Sequence, residues 1–379
     1  MDALLQEILD APDDDEPRLV WADREGGERG ELVVLQCMLA RYEGTRADRM
    51  PMQLREREVL RRFTKLGVTY VRGFIESMTV PLAHVGPELF ERAPLLRAIE
   101  LENFMTELTL EETPFPGDAW MEDAERLRAA FATLPEGRLR SLRVPATLSV
   151  TFDQWTRAHG YGDGLAAVVA NVPSLARLTE LDLVGGNVTK AAFPHLAKLP
   201  LERLATSPRL TGEDLVGLLR AVATLRGLSL PRGQPAICGD RLAMLLAAPE
   251  VGRLRELDLS YNQLGEEDLV RLGDCDSLAN LERLGLAYAN ITPRGWDAIA
   301  QSPHLEGLRA LGLKHVSGFR LGMLHATRFR LREIEFVEIP DGAAAHFITL
   351  PDLERVGFNI AGDADWRALL ETIPIVGYW

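Results

Sequence analysis

Leu254-Arg255-Glu256-Leu257-Asp258-Leu259-Ser260-Tyr261-Asn262 reads L-x-x-L-x-L-x-x-N without a gap. Leucines at positions 1, 4 and 6 put the buried side chains of a short strand on one face. An asparagine at position 9 suits the turn that follows, because its side chain hydrogen-bonds nearby backbone. The spacing recurs at Leu178, Leu201, Leu225, Leu254, Leu281, Leu308, Leu331 and Leu353, in steps of 23, 24, 29, 27, 27, 23 and 22 residues. Between the leucine clusters lie helical stretches at 212–222, 240–246, 266–272 and 293–300. Thr211-x-x-Asp214 and Thr292-Pro293 are helix-start signals.

This pattern resembles the leucine-rich repeat, in which each unit holds a strand, a turn, a helix and a return loop. The resemblance implies an α/β solenoid with a curved parallel sheet on the concave side and helices on the convex side. Most units lack the asparagine: Asn187 and Asn290 come one position late, and the repeats at Leu201, Leu225, Leu308 and Leu331 have none at that turn. Earlier units begin at Leu96 and Leu139, and Phe74–Val80 is a degenerate first strand, making about eleven units in all. The gaps of 43 and 39 residues after Leu96 and Leu139 hold insertions near 108–135, with a helix from Met121 to Leu134, and near 150–170.

Residues 1–70 carry no repeat and read as a helical cap domain, leaving the solenoid at 71–372 and a capping strand or tail at 373–379. Leu4, Leu5, Ile8 and Leu9 have helical spacing up to Pro12, and Asp13-Asp14-Asp15-Glu16 offers N-caps to a second helix over Pro17–Asp23. Gly26, Gly27 and Gly30 break the chain before helices at 31–42 and 53–66. The acidic run lacks the spacing and turn glycine of a calcium loop, so it reads as a helix start. Leu5-x-x-Ile8-Leu9-x-Ala11-Pro12-Asp13-Asp14-Asp15-x-Pro17-Arg18-Leu19-Val20-Trp21-Ala22-Asp23, with Arg29-Gly30-Glu31-Leu32-Val33-x-Leu35-Gln36-Cys37-x-Leu39-Ala40-Arg41, resembles the repeat-companion domain that precedes leucine-rich repeats in myxobacterial and planctomycete proteins. Arg24-Glu25-Gly26-Gly27 departs from that family's helix end. The resemblance implies architecture and a bacterial source, and brings no activity with it.

A net charge of −14 disfavours nucleic acid as a partner. Of the 42 basic residues only Lys65, Lys190, Lys198 and Lys314 are lysines. Cys37, Cys238 and Cys275 are sparse and odd in number, as in a reduced, cytoplasmic protein. The amphipathic, acidic start does not read as a secretory signal, and no apolar run is long enough to span a membrane.

Positions 3 and 5 of each strand face the open side. Position 3 reads Glu180, Arg203, Gly227, Glu256, Arg283, Ala310, Glu333, Arg355, so adjacent strands are expected to pair Glu180 with Arg203, Glu256 with Arg283, and Glu333 with Arg355. Position 2 suggests further pairing through Arg255, Glu282 and Arg309, then Arg332 and Glu354. Position 5 reads Asp182, Ala205, Ser229, Asp258, Gly285, Gly312, Glu335, Gly357, a floor of mostly small residues. Tyr261, Tyr288, Lys314 and His315 stand beside it, as a peptide-binding strip or as a structural stack. The candidate binding set is therefore Asp182, Glu256, Asp258, Tyr261, Arg283, Tyr288, Lys314 and His315. Glu100, Glu102, Asp182 and Asp258 favour a basic protein or peptide partner.

No catalytic motif, metal-ligand spacing or cofactor loop is present in the sequence, so a non-catalytic protein-binding scaffold is expected. Of the histidines, His315 and His325 are placed to approach one another. The end, Val376-Gly377-Tyr378-Trp379, supports two readings. It caps the last repeat with a strand, or it resembles the aromatic core of bacterial ribosomally made peptide precursors, which implies tail-modifying enzymes as partners.

Overall fold

Leu254, Leu257 and Leu259 are buried, while Glu256 and Asp258 between them are half-exposed on the other face. The computed structural model describes residues 3–44, 46–63, 67–102, 119–144, 161–233, 235–336, 346–347, 349–358 and 375–378, apart from the side chains at 46–47, 119–123, 161, 358 and 375–378. Within these residues Leu181, Leu204, Leu228, Leu257, Leu284, Leu311, Ile334 and Val356 stand in register on neighbouring strands. They are the fourth residues of the repeats beginning at Leu178 to Leu353. A slip of one residue would turn every one of them to solvent, which is why the leucine spacing dictates the register.

Thirteen described strands form one sheet, neighbours in chain order. They are β1 Val68–Val71, β2 Phe74–Pro81, β3 Ala98–Glu102, β4 Ser141–Arg143, β5 Glu180–Val188, β6 Arg203–Pro208, β7 Gly227–Ser229, β8 Glu256–Asp258, β9 Arg283–Gly285, β10 Ala310–Gly312, β11 Glu333–Glu335, β12 Arg355–Phe358 and β13 Ile375–Tyr378. All neighbours from β2 onward are parallel. Helices return the chain between strands: α5 Glu88–Arg92, α6 Ala119–Ala132, α7 Tyr161–Val169, α8 Phe193–Leu196, α9 Gly212–Ala221, α10 Gly239–Leu246, α11 Glu266–Gly273 and α12 Pro293–Ala300. One continuous apolar core runs between sheet and helices from Val80 to Val356. The architecture is an α/β solenoid with one strand per leucine repeat. The rest of the two insertions, 103–118 and 145–160, lies outside the described residues.

Thr211 and Asp214 cap α9 reciprocally, each side chain accepting the other's backbone N–H at 3.1 Å, and Thr292 accepts from Gly295 N–H at 3.1 Å at the start of α12. Asp268 in α11 accepts from Gly265 N–H and also from Gly239 N–H of the preceding repeat, at 3.1 and 2.8 Å. Asn262 goes further. Fully buried, it accepts from Gly233 and Ile237 N–H and donates to the carbonyls of Leu230, Leu259 and Ser260. One asparagine thus closes its own turn and holds the turn of the repeat before it.

The first helices are α1 Ala3–Asp10, α2 Glu16–Glu25, α3 Gly27–Arg41 and α4 Arg46–Phe63. Ile8, Trp21, Ala22, Val33 and Cys37 form a second core that also takes in Phe74 and Leu95. Three expectations need correction here. Gly30 does not break the chain: it lies inside α3, where a Cβ would stand 2.5 Å from the Ala22 carbonyl oxygen, so it permits α2 and α3 to cross closely. Asp15 makes no side-chain cap; it is fully buried and ion-paired with Arg41 at 2.6 Å and Arg72 at 3.3 Å. Nor did periodicity reveal β1, which pairs antiparallel with β2 through a two-residue turn with φ of 47° at Arg72 and 81° at Gly73.

At the other end, β13 pairs in parallel with β12 from Arg355–Ile375 to Phe358–Tyr378. Val376, Gly377 and Tyr378 are therefore strand residues at the sheet edge, an arrangement that lends the free-tail reading no support; Trp379 lies outside the described residues. His325 meets His346 at 3.1 Å rather than His315, whose ring stacks elsewhere. No described helix is long and apolar enough to cross a membrane.

Candidate binding surface

Side chains at positions 3 and 5 of β4 to β9 line a groove of about 350 Å³ on the open face. Ala205, Gly227 and Ser229 form its floor. Arg143, Arg203 and Arg283 stand around it with Glu180, Asp182, Glu256 and Asp258. Four of the eight expected binding residues, Asp182, Glu256, Asp258 and Arg283, are thus brought to one site.

The charge pairing differs from strand-by-strand expectation. Glu180 and Arg203 do pair, at 2.5 Å, and so do Glu333 and Arg355, at 3.5 Å. Arg203, however, also crosses β7 to reach Glu256 at 2.7 Å, and Arg283 crosses β10 to reach Glu333 at 2.8 Å. The strands crossed carry Gly227 and Ala310 at that position, which leave a gap a long guanidinium spans. A Cβ on Gly227 would come within 2.9 Å of the Arg203 side chain. Arg203 is consequently held protonated beyond its ordinary range, chiefly by its bonds to Glu256. Position 2 pairs Arg255 with Glu282 at 3.0 Å, whereas Glu354 pairs with Arg49 of α4 at 3.2 Å.

Position 5 carries a similar bridge that sequence reasoning overlooked. Arg143 lies 3.0 Å from Asp182 and 3.6 Å from Glu100, so two carboxylates counted toward a basic partner are already matched. Arg143 is position 5 of the repeat at Leu139, and its place in that row was the available signal. Burial pushes the Asp182 carboxyl up, against the opposing effects of the Val184 N–H bond and Arg143. Asp258 accepts from the Ser229 hydroxyl at 2.8 Å and from Ser260 N–H at 2.9 Å. Asp182 repeats that short turn with Val184 N–H. Asp258 thus closes the end of β8 and Asp182 makes the same short turn inside β5, while both line the groove.

Tyr261, Tyr288 and His315 form a column along one edge of this face. Tyr261 and Tyr288 stack with ring centroids 4.5 Å apart, and His315 follows at 4.6 Å. A fourth member is Arg232, whose guanidinium lies 4.7 Å from the Tyr261 ring. All four are eighth residues of their repeats, and all have positive φ, between 51° and 64°. The left-handed turn repeated at one strand spacing is what aligns them. Tyr288 is 44% exposed in the column's centre. Lys314 turns to Glu335, at 3.3 Å.

Among the described residues no group of three histidine, cysteine or carboxylate side chains is arranged to hold a metal ion.

No protein-family model matches the chain, and no curated sequence matches it. The repeat-companion resemblance therefore rests on its quoted residues alone. Among solved structures, similar folds include the Rad7 and Elc1 complex of yeast, at 13% identity and TM-score 0.41, with 91% of each chain covered. An internalin of Listeria monocytogenes is similar at 12% identity and TM-score 0.32, covering 67% of this chain and 83% of that one. Neither likeness bears on function.

Proposed function

We propose that the chain is a non-catalytic scaffold that recognises a protein or peptide segment on the concave face of its repeat sheet. The observation that carries this reading is the pairing of a small-residue floor with an exposed aromatic column. Rigid rings give contact area at low entropic cost, and the floor at Gly312 beside them leaves room for an incoming chain, whereas the Asp258 carboxylate covers Gly285. Because Arg143, Arg203 and Arg283 already neutralise most neighbouring carboxylates, the partner is selected by shape and aromatic contact more than by opposite charge.

The test is affinity capture from the producing cell with the wild-type chain and with Tyr288→Ala. A specific partner retained by the first and lost by the second supports the reading. Equal recovery by both, with the variant folded, defeats it. A partner that remains bound in high salt further distinguishes aromatic recognition from charge steering.

A further inference from the structure

A second cavity, of about 410 Å³, lies between α2, α3, α4 and the β1–β2 hairpin, away from the concave groove. Four guanidinium groups line it, from Arg18, Arg49, Arg72 and Arg97, against the carboxylates of Asp13, Glu56 and Glu76. The carboxylates are spoken for or turned outward. Glu76 takes Arg18 at 3.0 Å, Glu56 accepts from Gln36 at 2.6 Å, and Asp13 is solvent-exposed. Arg18 is 1% exposed, and beyond its bonds to Glu76 and the Pro12 carbonyl its Nε and Nη1 have no hydrogen-bond partner among the described residues. The same holds for Arg49 Nε and Arg97 Nη2. Gln53, 3% exposed, brings an unmatched side-chain oxygen to the same cavity.

Buried donors without acceptors are costly, and several on one cavity wall mark a site shaped for an acceptor-rich group. We propose that this cavity binds a phosphate monoester that also carries a hydroxyl group, as a sugar phosphate does. Guanidinium forks from different elements suit the several oxygens of a phosphate, and the Gln53 oxygen takes the hydroxyl proton. The volume falls in the range of small-molecule sites. This inference is independent of the concave-face reading.

Calorimetric titration of the full chain at constant ionic strength tests it, using ribose 5-phosphate, inorganic phosphate and ribose as probes. Ribose 5-phosphate should bind saturably, inorganic phosphate more weakly, and ribose not at all. Arg97→Gln should weaken both anions by about tenfold or more. Gln53→Leu removes an unmatched buried polar atom and so retains the fold; it should bring ribose 5-phosphate down to the affinity of inorganic phosphate. Absence of saturable binding by either anion overturns the proposal and makes the cavity a water-filled one. Unchanged ribose 5-phosphate affinity in Gln53→Leu, or in folded Arg97→Gln, overturns it equally.

Discussion

Arg203 reaches past an intervening strand to bond Glu256 at 2.7 Å, and it does so because Gly227 lies between them. A side chain at 227 would occupy the path of the guanidinium. The pair is partly solvent-exposed, so a double-mutant cycle of Arg203→Ala and Glu256→Ala in urea should give a coupling of about 1 kcal/mol or less, shrinking in high salt. Gly227→Leu should abolish that coupling while both charged residues remain.

Asn262 predicts a much larger effect. Asn262→Ala strands the buried N–H groups of Gly233 and Ile237 and the carbonyls it served in two repeats. Urea unfolding should show a loss of about 3 kcal/mol or more. Amide exchange should accelerate at 230–239 as well as at 259–262, because the side chain serves both turns.

Gly30→Ala separates two opposed effects. In an open helix interior the change would stabilise by about 1 kcal/mol. In α3 the new methyl meets the Ala22 carbonyl at 2.5 Å, a backbone atom with little room to retreat. The expected outcome is destabilisation by about 1–3 kcal/mol, read as a lower urea midpoint.

Cys37 should resist thiol reagents until the first helices unfold. Burial, reinforced by the adjacent Asp15 carboxylate, pushes its thiol up to about 12, and its side chain is inaccessible. Alkylation at pH 8 followed by mass mapping should label Cys238 and Cys275 first, since both are partly accessible. Early labelling of Cys37 would contradict the buried core.

Acid should loosen the helical side of the solenoid. Hydrogen bonds from Thr211, Arg220 and Thr292 hold Asp214, Glu250 and Glu266 below the ordinary values of 3.8 for aspartate and 4.5 for glutamate. Their stabilisation is present above those values and lost as pH falls through the lower folded-state ones. Asp182 acts in the opposite sense. Its raised value means the folded chain holds the proton more tightly, so its contribution is present at low pH and is lost as pH rises through the folded value. Urea titrations from pH 7 downward should show stability falling below about pH 4.5. Glu266→Gln should make that fall shallower, and Asp182→Asn should make it steeper.

The leucines at positions 1, 4 and 6 determined strands β3 to β12, their order and their register, because period-two burial admits one pairing once the apolar face is set. The caps at Thr211 and Thr292, and the role of Asn262 in its own turn, were equally legible, since they act within a few residues of sequence. Of the residues lining the groove, Asp182, Glu256, Asp258 and Arg283 were legible from their strand positions, while Arg143 was overlooked. What those residues do there was decided only by the tertiary structure. Arg203 keeps Glu180 and gains Glu256, and Arg283 takes Glu333 instead of Glu256, because small residues open a path across the intervening strand. Tyr261, Tyr288, His315 and Arg232 became one column because the same left-handed turn is stacked at strand spacing. Arg18 and Gln53, unremarkable in a helical sequence, share one cavity wall only after α2 and α4 have packed beside the first strands. Local pattern specifies which face a side chain takes, whereas its partner depends on which distant residues leave room.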